Sequence, residues 1–319
     1  MKFIVFFFLV LISTLTGFTQ SAYSPRDSSY SIYSSYVKIK KHYPDVRPVW
    51  SDLPKRVQAK SNVVYTNHKG ERPLHLDIFY SKKKKKKKRP AILMIHGGGW
   101  TTGSKENLIP MAQQLAKEGY ITVTVEYRLS AEAQYPAAIY DLKTAVRWIR
   151  AHADEFGIDT NRIAAYGCSA GAHLASFLGA TNGLPQFEGS LDNQTFSSDV
   201  QAVLNIDGIL SFIHPEAKPE WTGPSANRWL DDYGSYYERW KEASPLEYAG
   251  KATPPFLFVN SSFPRFHAGR DDLIVILSEN GIYNEGYTFD DSPHGFWLLD
   301  PWFEPTLKYS LGFLKKVFK

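Results

Sequence analysis

The chain has 319 residues, 43% of them hydrophobic and 15% aromatic, which supports one large α/β domain with a substantial core or two small ones. Its single cysteine, Cys168, excludes an intramolecular disulfide and with it a small disulfide-stapled fold. The formal net charge of +5 is more than supplied by the run from Lys82 to Lys88 with Arg89, so the remainder is close to neutral and no nucleic-acid partner is expected.

Met1 and Lys2 make a positive start, Phe3 to Ile12 an apolar stretch, and Ser13 to Gln20 a smaller and more polar one. This is the layout of a secretory signal peptide over residues 1–20, with a membrane anchor as the alternative reading. No later apolar run reaches spanning length, so the expectation is an exported protein, periplasmic or secreted, with no stable membrane insertion. Residues 21–55, rich in Ser, Tyr and Pro, read as an extension packed onto a main domain over 56–319.

Val63 to Thr66 and Leu74 to Tyr80 alternate like half-exposed strands around a turn at His68, Lys69 and Gly70. The lysine run reads as a hairpin-like loop. Ala91 to Ile95 is continuously apolar, as a strand buried on both faces should be. A helix is predicted from Leu108 to Glu118, a strand from Ile121 to Glu126, and a long helix from Ala137 to Phe156 closed by Gly157. Arg162 to Tyr166 is the next strand, leading through Gly167 into a helix from Ala170 to Gly179. Val200 to Ile206 and Pro255 to Asn260 continue the strands, followed by a helix around Leu273 to Glu279, a strand at Gly286 to Phe289, and a closing helix from Glu304 to Phe318. Residues 211–250 break the rhythm and read as an insertion able to cap a site at the strand ends. The alternation predicts an α/β fold, a mostly parallel central sheet with helices on both faces.

Gly167-Cys168-Ser169-Ala170-Gly171 is a G-x-S-x-G between a buried strand and a helix. Small flanking residues let the two elements pass closely, so the Ser169 hydroxyl is lifted above the sheet at the positive end of the helix. His96-Gly97-Gly98-Gly99-Trp100 follows an earlier strand, and its glycines free backbone amides to face a developing oxyanion. The expected donors are the amides of Gly98, Gly99 and Ala170, with His96 holding the loop.

HGGGW followed about seventy residues later by GCSAG resembles the α/β-hydrolase esterases, in particular the hormone-sensitive-lipase-like and carbohydrate-esterase branches. The similarity runs from about Val63 to the end of the sequence. It implies the α/β-hydrolase fold with residues 211–250 as a cap-like insertion, two-step acyl transfer from Ser169 and no cofactor. His294, in Ser292-Pro293-His294-Gly295-Phe296-Trp297, stands where such enzymes carry their general base. The acid departs from the pattern. The place following Pro255 to Asn260 reads Ser261-Ser262-Phe263-Pro264-Arg265-Phe266, without a carboxylate. Asp271 is the first candidate, then Asp272, then Asp207. His267 is the histidine of next interest.

The tail from Pro264 to Asp271 and from Pro293 to Pro305 resembles a narrower group, exported esterases of Bacteroidetes associated with plant polysaccharides, pectin in particular. That resemblance implies a carbohydrate-ester substrate carrying acetyl or methyl groups. Arg265 and Arg270 are placed to pair with uronate carboxylates, or else to tie their loop to the sheet. Trp100 is a further substrate contact, and Trp221 and Trp229 are expected as aromatic surfaces for a sugar. A lipase-like general carboxylesterase, a peptidase of the same fold and a catalytically inactive glycan-binding module are the rival readings, and the oligomeric state is left open. The sequence carries no metal-binding Cys/His cluster, phosphate-binding loop or dinucleotide fingerprint.

Overall fold

A computed structural model describes residues 26–68, 70–82, 87–190, 192–217 and 223–319. The expected signal peptide, Lys83 to Lys86 and Trp221 lie outside the described residues.

Ser31 caps helix α1 (Ile32–Ile39) through a reciprocal pair of hydrogen bonds with Ser34, and the helix turns Ile32, Ser35 and Ile39 inward. A short strand, β1 (Arg47–Pro48), follows. The sheet begins with β2 (Val57–Asn67) and β3 (Pro73–Ser81), and continues with β4 (Arg89–Ile95), α2 (Ile109–Lys117) and β5 (Ile121–Val125). The helix predicted as one piece breaks at His152 into α3 (Ala137–Ala151) and α4 (Ala153–Phe156). His152 leaves helical dihedrals because its ring stacks on Trp148 and its Nδ1 bonds the Trp148 carbonyl at 2.9 Å. Then come β6 (Ile158–Cys168), α5 (Ala170–Ala180) and β7 (Ala202–Ile206). Residues 211–250 hold α6 (Gly223–Leu230) and α7 (Tyr237–Glu242). The chain closes with β8 (Phe256–Asn260), α8 (Arg270–Glu279), β9 (Asn284–Thr288), β10 (Leu299–Asp300) and α9 (Phe303–Val317).

Among the described residues, eight strands form one sheet in the order β2-β3-β5-β4-β6-β7-β8-β9, antiparallel at the β2–β3–β5 edge and parallel elsewhere. β1 pairs with β10 in a separate two-stranded ribbon that ties the N-terminal segment to the chain after His294. Every residue of β5, β7 and β8 is buried, as central strands covered on both faces must be. Successive residues of β4 feed two different cores, Ala91, Leu93 and Ile95 one and Ile92 and Met94 the other. α3, α5 and the insertion pack on the first face, and α1, α2 and α9 on the second. The parallel strands all end on one rim, where Ser169, Asp207 and Ser261 follow β6, β7 and β8.

Candidate active site

Ser169 sits at φ +54° and ψ −123°, the cap position between β6 and α5. The flanking glycines make that turn possible. A Cβ on Gly167 would lie 1.9 Å from the Gly171 carbonyl oxygen, and one on Gly171 would lie 2.1 Å from that of Ile95. Any side chain at either position forces β6, α5 and β4 apart, and the elbow that lifts the Ser169 hydroxyl over the rim is lost. The Ser169 amide donates to the Ile206 carbonyl at 2.9 Å, which pins the elbow to the end of β7.

His294 arrives on the loop after β9. Its Nε2 lies 2.8 Å from Ser169 Oγ, and its Nδ1 lies 2.7 Å from Asp207 Oδ2. Register explains why Asp207 is there. Cys168 pairs with Ile206 across β6 and β7, so the next residues on the two strands, Ser169 and Asp207, emerge side by side. Asp207 is itself at φ +56° and fully enclosed. Burial raises its carboxyl pKa. Hydrogen bonds from His267, His294 and Ser261 outweigh that effect and hold it well below the usual carboxylate range. Oδ1 accepts from the Ser261 amide at 2.9 Å and from His267 Nδ1 at 3.3 Å, leaving Oδ2 to His294.

The first-ranked acid is therefore corrected. Asp271 lies in the first turn of α8 with its side chain 73% exposed and bound to Arg270 at 2.8 Å, and it does not meet His294. Asp272 pairs with His214. Arg270 is also displaced from its expected place. It spans Asp271, Asn260 Oδ1 and Thr288 Oγ1, tying the loop to the ends of β8 and β9. Arg265 does reach the site, its guanidinium 4.5 Å above the Phe266 ring, which in turn stacks on His294 at 3.6 Å.

Gly98 and Gly99 hold φ of +124° and +59°, the left-handed region that the loop after β4 needs. With Ala170 they line the cavity that contains Ser169 and His294. None of these three amides donates to a protein acceptor among the described residues. His96 is enclosed beneath the loop. Its Nδ1–H donates to the Gly97 carbonyl at 2.8 Å, and its Nε2 accepts from Arg26 at 2.6 Å. Burial, then the Arg26 charge, lowers the His96 pKa to about 3, so this imidazole is neutral and structural.

The cavity measures about 590 Å³. Trp100 lines it, and Phe212, Ala217, Gly223 and Ser225 bring the 211–250 insertion to its wall. Trp229, expected as a sugar platform, is fully buried behind Trp100, with the rings stacked at 5.2 Å, and belongs to the core. Tyr30 and Lys38, from the N-terminal segment, also line the cavity. Nothing in their local sequence marks them as site residues. The β1–β10 ribbon and the burial of Ile32 and Ile39 bring them there.

The BD-FAE family model matches residues 76–267. Esterase LipC of Mycobacterium tuberculosis is 29% identical over 221 residues, covering 63% of this chain and 51% of LipC. The probable carboxylic ester hydrolase LipM of the same organism is 30% identical over 190 residues, 58% of this chain and 42% of LipM. The chain thus spans about half the length, or less, of these curated relatives. Among solved structures, a butyrate-bound esterase from Thermogutta terrifontis superposes with a TM-score of 0.66 at 25% identity, covering 82% of this chain and 95% of that one. A bifunctional GH43-CE protein of Bacteroides eggerthii superposes with a TM-score of 0.69 at 24% identity, covering 81% of this chain and 38% of that one.

Proposed function

The chain belongs to the BD-FAE family and has the α/β-hydrolase fold, and on that footing we propose that it is a serine carboxylic-ester hydrolase acting through Ser169, His294 and Asp207. The observation that carries this reading is the unbroken run Ser169 Oγ to His294 Nε2 at 2.8 Å and His294 Nδ1 to Asp207 Oδ2 at 2.7 Å. Ser169 Oγ attacks the ester carbonyl as its proton passes to His294 Nε2. The oxyanion is held by the amides of Gly98, Gly99 and Ala170, each such donor supplying roughly 3 kcal/mol of barrier lowering in measured cases. The carbon–oxygen bond to the alcohol then breaks, and the alcohol leaves with the proton from Nε2. Water, deprotonated by His294, attacks the acyl-enzyme and releases the acid. Asp207 keeps the Nδ1 proton in place and balances the imidazolium charge in both halves.

The substrate in this reading is an acetyl or methyl ester on a plant polysaccharide, pectin foremost, met after export. The likeness to the bifunctional GH43-CE protein of Bacteroides eggerthii and the cation Arg265 at the cavity support it. A general carboxylesterase is the second reading, favoured by the apolar Ile209 and Phe212 in the cavity wall and by the butyrate in the Thermogutta terrifontis esterase. The test measures acetate and methanol released from acetylated and methylated pectin fragments, with Ser169→Ala as control. The expected outcome is release by the parent protein and none above background in the variant. Turnover of 4-nitrophenyl butyrate and octanoate well above acetate, with nothing released from pectin, would replace the polysaccharide reading with the second.

A further inference from the structure

Two cations at the cavity have no carboxylate partner among the described residues. Lys38 and Arg265 both line it, and among the described residues neither forms an ion pair. Asp207 is the one carboxylate among the described lining residues, and both its oxygens are already occupied. An exposed cation beside a cavity is unremarkable alone; two on the same side of a reacting centre define a direction.

That side is the side of His294. Arg265 stands over Phe266, and Phe266 lies face to face with the imidazole. Lys38 belongs to the last turn of α1, which packs on the 296–298 turn directly after His294. A Cβ placed on Gly295 would stand 3.4 Å from Ile39 Cδ1, so the residues next to Lys38 and His294 are in contact. The two cations come from distant parts of the sequence, and the segments that carry them flank the loop of His294 in one cavity.

The chemistry says which part of an ester occupies that side. His294 Nε2 must hand its proton to the departing alcohol oxygen, so the alcohol lies against His294 while the carbonyl oxygen faces the oxyanion amides. We infer that the site takes acetyl esters whose alcohol carries a carboxylate, as an O-acetylated uronate does, and not the methyl esters of uronates. In methyl-ester cleavage the group leaving past His294 is methanol, uncharged and too short to reach either cation. The uronate's own carboxyl is then the reacting ester and offers no anion. In acetyl-ester cleavage the alcohol is the uronate itself, with a free carboxylate for Arg265 and Lys38 to pair with. This rests on the esterase reading above and selects between its two ester types.

The test compares acetate release from O-acetylated galacturonic acid and O-acetylated galactose, which share the ring and differ in the carboxylate. The expected result is a kcat/KM about tenfold higher for the acidic sugar at low salt, declining toward parity near 0.5 M NaCl as screening sets in. The ratio between the two substrates should collapse in the double variant Lys38→Gln/Arg265→Gln and largely survive in Arg265→Lys, with melting curves reporting that each variant is folded. Because the ratio is internal to each variant, a general loss of activity does not imitate the effect. Equal kcat/KM on the two acetates, or a preference untouched by the double substitution, overturns the inference and leaves the esterase reading standing. Methanol release from methyl galacturonate that exceeds acetate release overturns it in favour of the methyl ester. Failure to hydrolyse any ester offered, 4-nitrophenyl acetate, 4-nitrophenyl butyrate and methyl galacturonate included, removes both readings together.

Discussion

Asp207 accepts from two histidines and a backbone amide, and each contact has a separate consequence. The bond to His294 sets the tautomer that leaves Nε2 free to accept from Ser169, so Asp207→Asn is expected to lower kcat by about 10³- to 10⁴-fold with little change in folding. Steady-state kinetics on an acetate ester read this directly. Asp271→Asn, by contrast, alters an exposed pair with Arg270 and should leave kcat within about twofold. His267 acts through Asp207 rather than on substrate, which makes it a positioning residue. Removing its donor in His267→Ala frees the acid to rotate, and the expected result is a roughly tenfold fall in kcat with KM nearly unchanged. His267→Gln, which restores an N–H, should recover part of that loss. A matching fall in melting temperature without any kcat effect would assign His267 a purely structural role.

The loop that carries Gly98 and Gly99 is held from outside by the N-terminal segment. Arg26 donates to His96 Nε2, to the Gly103 carbonyl at 3.1 Å and to the Tyr127 carbonyl at 3.3 Å. The Gly103 amide in turn donates to the Asp27 carbonyl, and Thr102 Oγ1 bonds Asp27 as well. The glycines that free the amides for substrate also leave the loop with few side-chain anchors, so its geometry depends on this external clamp. Arg26→Ala removes three donor contacts from one side chain. Stopped-assay kinetics on an acetate ester should show kcat/KM reduced about tenfold, with the larger part in kcat, since oxyanion donors act in the transition state. The insertion performs the matching task from the other side. Trp229 stacks on Trp100, and Ser225 abuts Gly99, so α6 braces the loop it covers.

At the scale of the whole molecule, the folded state keeps two enclosed imidazoles neutral. Burial lowers the His96 pKa to about 3, with help from Arg26, and the His173 pKa to about 4. An unfolded chain protonates both near 6.5, so below that pH the unfolded state binds more protons than the folded one. The stability tied to these two groups is therefore complete above about pH 6.5 and drains away as the pH falls toward 4. Asp207, held below the ordinary carboxylate range, adds a second loss that begins only under its unfolded value of roughly 3.9. Thermal unfolding followed at pH 7.5 and pH 4.5 should show a midpoint lower by several degrees in acid, with most of that fall already present by pH 5.

The period of the apolar runs and the glycine spacing were enough to read the α/β alternation, the strand–turn–helix setting of Ser169 and the loop after β4, because these depend on residues near one another in sequence. A short apolar run set between turn residues and helical periods fits a covered strand, and this G-x-S-x-G closes where two elements cross within a Cβ's reach. Asp207 was visible merely as one acid of three, since what selects it is the pairing of Cys168 with Ile206 across two strands joined by a helix and a long loop. Likewise Arg270 and Arg265 read alike on one loop, yet the ends of β8 and β9 capture the first while the second reaches the cavity. Trp229 looked like a surface ring and became core, because the insertion folds down onto Trp100. Lys38 and Tyr30 carried no local signal at all. Spacing along the chain records local geometry, and only the closing of β1 onto β10 brings the first described helix to the loop that carries His294.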